Sequence, residues 1–191
     1  TQTFDADDTT YFHPLMAQTE ANLGFAPDNG AFDAAWDAFY VYDYFAKRGG
    51  IAAVPFSGKG AEKPRVYNED NLPLCEAELP MPLKSTFTAR TGLVPQPKGR
   101  YACPLVFPQP NGQTCPIDHH NWPKGGCIST LGTSAGAQLR HQLDREGSRY
   151  QAVYKQRTAT ERINAQAKEH GIEQPKLRSF KAIARQNTLI Y

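Results

Sequence analysis

The chain of 191 residues has no apolar run approaching the roughly 18 residues of a membrane-spanning helix. Its first residues do not show the basic-then-apolar order of a secretory leader. No internal repeat, no low-complexity tract and no obvious nucleophile–base pair is visible. None of the 4 cysteines forms a Cys-x-x-Cys pair, which weakens a zinc reading without removing it. Net charge is also scarce, at +2, and gives no global argument for a polyanionic partner. What is present, 40% hydrophobic and 21% charged residues, describes a soluble globular protein with enough chain for one domain carrying an insertion.

The charges are unevenly placed. The first fifty residues carry about eight acids against Lys47 and Arg48, whereas from Arg140 onward about eleven bases face five acids. A basic C-terminal third points weakly to a polyanion, and equally to a solvated helix surface.

Three zones follow. In residues 1–57, "TTYFHPLMAQTEANLG" predicts a helix starting near Thr9 or Thr10, with Pro14 in its first turn and Gly24 after its end. "NGAFDAAW" predicts a short strand carrying Asp33. "DAFYVYDYFAKRGG" predicts a helix capped by Asp37, with Phe39, Tyr42, Phe45 and Ala46 inward and Gly49 closing it. "IAAVPF" is a second buried strand, and strand–helix–strand at this spacing argues for parallel pairing in an α/β layer. Residues 58–136 hold 11 of the 15 prolines and all the cysteines, with β-type pieces "STFTA" and "RYACPLVF" between turns such as "PNGQ" and "PKGG". Helical pattern returns over 137–171, broken near Gly147, and again from about Ser179.

Two segments carry candidate chemistry. Asp33 lies among Phe32, Ala34, Ala35 and Trp36. A carboxylate there caps something, pairs with a cation or binds a metal, because an unpaired buried charge is costly. In open α/β sheets functional side chains gather at the carboxyl ends of strands, which is where this strand places Asp33. In "YKQRTATERINAQAK", Tyr154, Arg157, Glu161 and Lys168 follow at steps of three, four and seven residues. At about 100° per residue the last three fall within about 60° of Tyr154 on a helix, while Val153, Ile163 and Ala167 form a neighbouring stripe that can face a core. The plain alternative is a solvated face with pairs such as Arg157–Glu161, worth a few tenths of a kcal/mol. The functional alternative joins the segments. Asp33 and Glu161 converge on a divalent metal, Arg157 and Lys168 take backbone phosphates, and Tyr154 stacks on a base.

Tyr154-x2-Arg157-x3-Glu161-x6-Lys168 resembles the Y–R–E–K signature of DDE-type insertion-sequence transposases at all four positions and all three spacings. "FDAAWDAFYVYDYF" is similar to the segment around that family's second catalytic aspartate, and "RYACPLVFPQPNGQTCPI" resembles the same group, so the likeness covers nearly the whole chain. The resemblance implies a ribonuclease H-like α/β core in two pieces, 1–57 and 137–191, interrupted by a β-rich, cysteine-containing insertion, 58–136. It implies that Asp33 and Glu161 are two of three catalytic carboxylates holding Mg2+ (or Mn2+), and that Tyr154, Arg157 and Lys168 contact transposon-end DNA. The implied activity is metal-dependent DNA strand cleavage and strand transfer, with water and then a 3′-hydroxyl as nucleophiles. The implied setting is the cytoplasm, on the nucleoid when bound to DNA, with transposon ends and target DNA as partners, a homodimer in the full-length protein, and no membrane. The family's first aspartate lies on an early strand that no stretch here matches, since Asp5, Asp7 and Asp8 in "FDADDTTYF" precede a helix. With Thr1 at the start and "NTLIY" at the end, the expectation is a fragment that has lost that aspartate and does not cut DNA by itself.

Cys75, Cys103, Cys115 and Cys127 are separated by 27, 11 and 11 residues within a segment poor in large apolar side chains. A structural Zn2+, free thiols and disulfides all remain open, with disulfides disfavoured for a DNA enzyme in a reducing cytosol. His119 and His120 are substitute ligands or surface residues, and Trp122 is an aromatic contact or local core. Two other classes stand beside the transposase: a non-catalytic or domesticated DNA-binding module with a structural zinc site, and, more weakly, an unrelated α/β hydrolase.

Overall fold

The N-terminal segment folds where its caps allow. The computed structural model describes residues 8–58, 63–171 and 179–190. Asp5 and Asp7 thus lie outside the described residues. A 3-10 turn, Asp8–Tyr11, leads into α1 (Phe12–Leu23), which Gly24 ends at φ 75°, its N–H donating to the Glu20 carbonyl. β1 (Gly30–Ala31) pairs in parallel with β2 (Ala52–Ala53), with α2 (Phe39–Ala46) between them. The strand–helix–strand unit is therefore present.

Its details correct the sequence reading. β1 ends at Ala31, and Asp33 instead caps a 3-10 turn, Ala34–Trp36, accepting the Ala35 N–H at 2.9 Å. Asp37 is not the cap of α2. Ala38 occupies that position, and Asp37 is drawn inward by partners described below. Tyr40, Val41, Tyr42 and Phe45 are the buried residues of α2, while Phe39 and Ala46, expected inward, are half-buried. The core centres on Phe12, fully buried, with the rings of Phe32, Trp36, Tyr40, Tyr44 and Phe45 packed around it at 5.5–6.4 Å between centroids. Met16, Val41, Ala52 and Val54 complete it.

The middle segment forms an antiparallel sheet in the order β3 (Leu83–Ala89), β4 (Gln96–Ala102), β5 (Ile128–Gly132). "STFTA" lies in β3, but "RYACPLVF" is strand only to Ala102. Beyond it the Val106 and Phe107 N–H groups both turn back onto the Cys103 carbonyl. The architecture is mixed α/β, with its larger sheet antiparallel and its parallel pairing confined to two short strands.

The last third is helical: α3 (Ala135–Gln142), α4 (Ser148–Tyr154), α5 (Arg157–Glu169) and α6 (Phe180–Ile190). Gly147 is the N-cap residue of α4, at the expected break. A second break, at Lys155–Gln156, has no Gly or Pro to announce it. There the Gln156 and Thr158 N–H groups bond three residues back, to Val153 and Lys155. No described helix is long and apolar enough to cross a membrane.

α4 packs on β1 and β2, and α3 packs on α2. The second contact is close enough to require Gly136, since a Cβ there would collide with the Asp43 backbone nitrogen. Asp37 locks this contact. Its side chain, 1% exposed, receives Arg140 through two hydrogen bonds at 2.8 and 2.7 Å, together with the Tyr42 hydroxyl and the Ser57 N–H and hydroxyl, each at 2.8 Å. Burial alone would raise the Asp37 pKa. The Arg140 and Ser57 hydrogen bonds and the Arg140 charge outweigh it, and the net displacement is downward from 3.8.

Replacing Asp37 by Ala strands a guanidinium that is 15% exposed, and should cost about 3–5 kcal/mol in urea denaturation. Because the folded-state pKa is depressed, the ionised Asp37 contributes fully above the ordinary value of 3.8, and its contribution is lost as pH falls through the lower folded value. The stability gap between the native chain and Asp37→Asn should therefore be flat near neutrality and narrow only in acid below about pH 4. A gap unchanged at low pH would remove Asp37 from the linkage.

Candidate functional site

The structure places the proposed catalytic pair on separate elements. Asp33 follows the carboxyl end of β1, as a strand-end carboxylate should, and its Oδ1 is engaged by the turn it caps. Glu161 projects from α5, 54% exposed, and accepts from Arg157 Nη1 at 2.8 Å. Among the described residues no hydrogen bond or ion pair joins Asp33 to Glu161. No three His, Cys, Asp or Glu side chains there are already gathered to hold a metal ion.

The Tyr–Arg–Glu–Lys stripe spans the joint between two helices. Tyr154 closes α4 and its ring stacks on the buried Tyr150, with centroids 5.5 Å apart and planes at 15°. One face of Tyr154 is thus already covered. Arg157 opens α5, and Lys168 lies in its last turn. Of the expected apolar stripe, Ala167 is buried, Val153 is half-buried and Ile163 remains 49% exposed, so most of α5 faces solvent.

A basic cleft escaped the sequence reading. It encloses about 500 Å³ between the β4–β5 face and α3, and its walls include Arg65, Lys98, Arg140, Ser129 and Thr130 but no described Asp or Glu. Its cations come from three separate stretches, and no local motif could have revealed it. His141, also on the wall, is pushed down to about 4 by burial and by the Arg140 charge, and its Nδ1 accepts the Arg65 N–H at 3.1 Å.

Contrary to the expectation that the hydrolase alternative lacks a Gly-x-Ser-x-Gly element, Gly132–Thr133–Ser134–Ala135–Gly136 has that spacing between β5 and α3. A hydrolase serine of this kind sits on a strained turn with its hydroxyl free. Ser134 instead has extended backbone, φ −69° and ψ 154°, and caps α3 by accepting the Ala137 N–H at 3.2 Å. The motif is a helix cap, which gives the hydrolase alternative no support.

The four cysteines, far apart in sequence, line one cavity of about 120 Å³, together with Met81, His119 and His120. All four are free thiols. Burial, then the neighbouring Cys103 and Cys75, push the Cys127 thiol up to about 12, so it stays protonated at neutral pH. His119 accepts the Asn121 N–H at Nδ1, and its Nε2 lies 3.8 Å from the Glu76 carboxylate.

Asp33 can be tested as a cap separately from any other role. Asn caps about as well as Asp, so Asp33→Asn should leave stability within a few tenths of a kcal/mol, whereas Asp33→Ala should cost about 1 kcal/mol. Equal losses in urea denaturation would show that the charge, not the cap, matters for folding.

Compared with protein-family models, with curated proteins and with solved structures, the chain matches none.

Proposed function

We propose that this chain is part of the catalytic domain of a DDE-type insertion-sequence transposase, with a ribonuclease H-like core, and that it handles DNA through its sugar–phosphate backbone. The observation that carries the reading is the four-position signature Tyr154, Arg157, Glu161 and Lys168, with all three spacings intact. Two structural features support it. α4, which ends in Tyr154, packs on the parallel pair β1–β2, and β1 is the strand that Asp33 follows. The cleft beside α3 carries Arg65 and Lys98 as cations, its third, Arg140, being paired with the buried Asp37.

In such an enzyme Asp33 and Glu161 hold the divalent ions that strand cleavage and transfer require. Here Asp33 serves as a cap and Glu161 pairs with Arg157. With the family's first aspartate unmatched, they supply two of the three carboxylates that such a centre uses. The second reading, a DNA-binding module without catalysis, draws on that same arrangement.

The test is a mobility-shift titration of duplex DNA over about 50–200 mM salt. Binding should weaken steeply with salt and be insensitive to sequence. Arg157→Ala combined with Lys168→Ala should reduce the log–log slope by about 2, roughly one for each lost phosphate contact. Absence of binding at low salt, or an unchanged slope in the double variant, overturns the assignment. With Mg2+ or Mn2+ and supercoiled DNA, this chain alone should give no nicking. Nicking that both Asp33→Ala and Glu161→Ala abolish would show that it carries a complete catalytic set.

A further inference from the structure

We propose that the middle segment binds one structural zinc ion between Cys75, Cys103, Cys115 and Cys127, a site that does not depend on the DNA reading. The chain's entire complement of cysteine converges on one small cavity, although 27, 11 and 11 residues separate its members. Four thiols form a soft donor set, and tetrahedral coordination by four thiolates is an arrangement Zn2+ favours in structural sites.

The backbone presents these residues in a common way. Cys75, Cys103 and Cys115 each head a turn, their carbonyls accepting the N–H of Glu78 at 2.9 Å, Val106 at 3.2 Å and Asp118 at 3.2 Å. Glu78 and Asp118 hold positive φ, 57° and 46°, without being glycine. Such strained positions persist where the surroundings over-determine them, often beside ligands. Cys127 arrives by another route. The β4–β5 register, ending at Ala102 opposite Ile128, continues into a bond from the Cys103 N–H to the Cys127 carbonyl at 2.9 Å.

Space beside the sulfur is also kept open. Gly126 has φ 85°, and a Cβ there would lie 2.7 Å from the Cys103 Cβ and 3.3 Å from its Sγ. The thiols stand on the cavity wall and are not yet gathered into a closed metal set. Binding would deprotonate them and draw them to Zn–S distances near about 2.3 Å. A proline-rich segment with few buried apolar side chains gains from such an ion the cross-link that a larger core would otherwise supply.

The experiment loads the purified chain with Zn2+ alone, measures bound metal after desalting, and repeats the loading with Co2+. One zinc per chain and a tetrahedral, thiolate-type Co2+ spectrum are expected. Chelation should raise amide hydrogen exchange in residues 63–136 and leave α1 and α2 unchanged. Cys115→Ser should weaken zinc binding by at least about 10-fold, while His119→Ala should not. Failure to retain zinc, an octahedral Co2+ spectrum without thiolate bands, or unweakened binding by Cys115→Ser would overturn the site. The Co2+ spectrum of the native chain decides the matter even if the serine variant fails to fold, and a failed DNA-binding experiment does not bear on it.

Discussion

Asp37 and Arg140 lie 103 residues apart in sequence, and their paired hydrogen bonds fasten the strand–helix–strand unit to the helical third of the chain. Two charges taken out of water cost several kcal/mol each, and their attraction offsets this only when the remaining hydrogen-bonding capacity is also met. Here it is met. Tyr42 and Ser57 fill the other positions on the carboxylate, and the Arg140 guanidinium lies over the Phe56 ring at 4.5 Å. Arg145 extends the network, donating to the Val54 carbonyl at 3.0 Å, the Tyr42 hydroxyl at 3.1 Å and the Arg140 carbonyl at 2.9 Å.

The middle sheet inherits its position from that pair. β5 ends at Gly132 and α3 starts at Ala135, so fixing α3 on α2 fixes where the sheet emerges. The cleft between sheet and helix is a consequence of this docking. Its electrostatics follow as well. Asp37 neutralises one of two guanidiniums, and His141 is kept uncharged by burial and by Arg140. A positive excess remains beside Arg65 and Lys98. The same network that stabilises the fold therefore also sets the charge balance of the cleft.

Signals that act within a few residues were legible in the sequence. Gly24 ends α1 and Gly147 precedes α4, because a backbone constraint needs no distant partner. Apolar runs located β1 and β2, although pairing by two residues each left Asp33 outside the strand. Asp37 was misread because its local surroundings fit a helix cap equally well, while its true partner lies on α3. The joint at Lys155–Gln156 carries ordinary helix formers and could not be seen. Composition marked the cysteine segment as unusual, but the convergence of the four residues on one cavity depends on turns at Glu78 and Asp118 whose positive φ is not written in those residue types.

Magnitudes separate the carboxylates that are committed to structure from those that can be recruited. Removing either partner of the Asp37–Arg140 pair exposes a desolvation cost of about 3–5 kcal/mol, so Asp37 cannot be diverted to a ligand without unfolding its neighbourhood. Asp33 holds a cap worth about 1 kcal/mol. Glu161 holds an exposed i,i+4 pair worth about 0.3–0.5 kcal/mol. An Arg157–phosphate bond would be charge-assisted in the same way as the Arg157–Glu161 pair it displaced. A DNA backbone that took Arg157 would release Glu161 at little cost, and the released carboxylate would then face solvent on α5. The pairing seen here is thus a weakly held one, and it is Asp37, not Asp33 or Glu161, that the fold cannot give up.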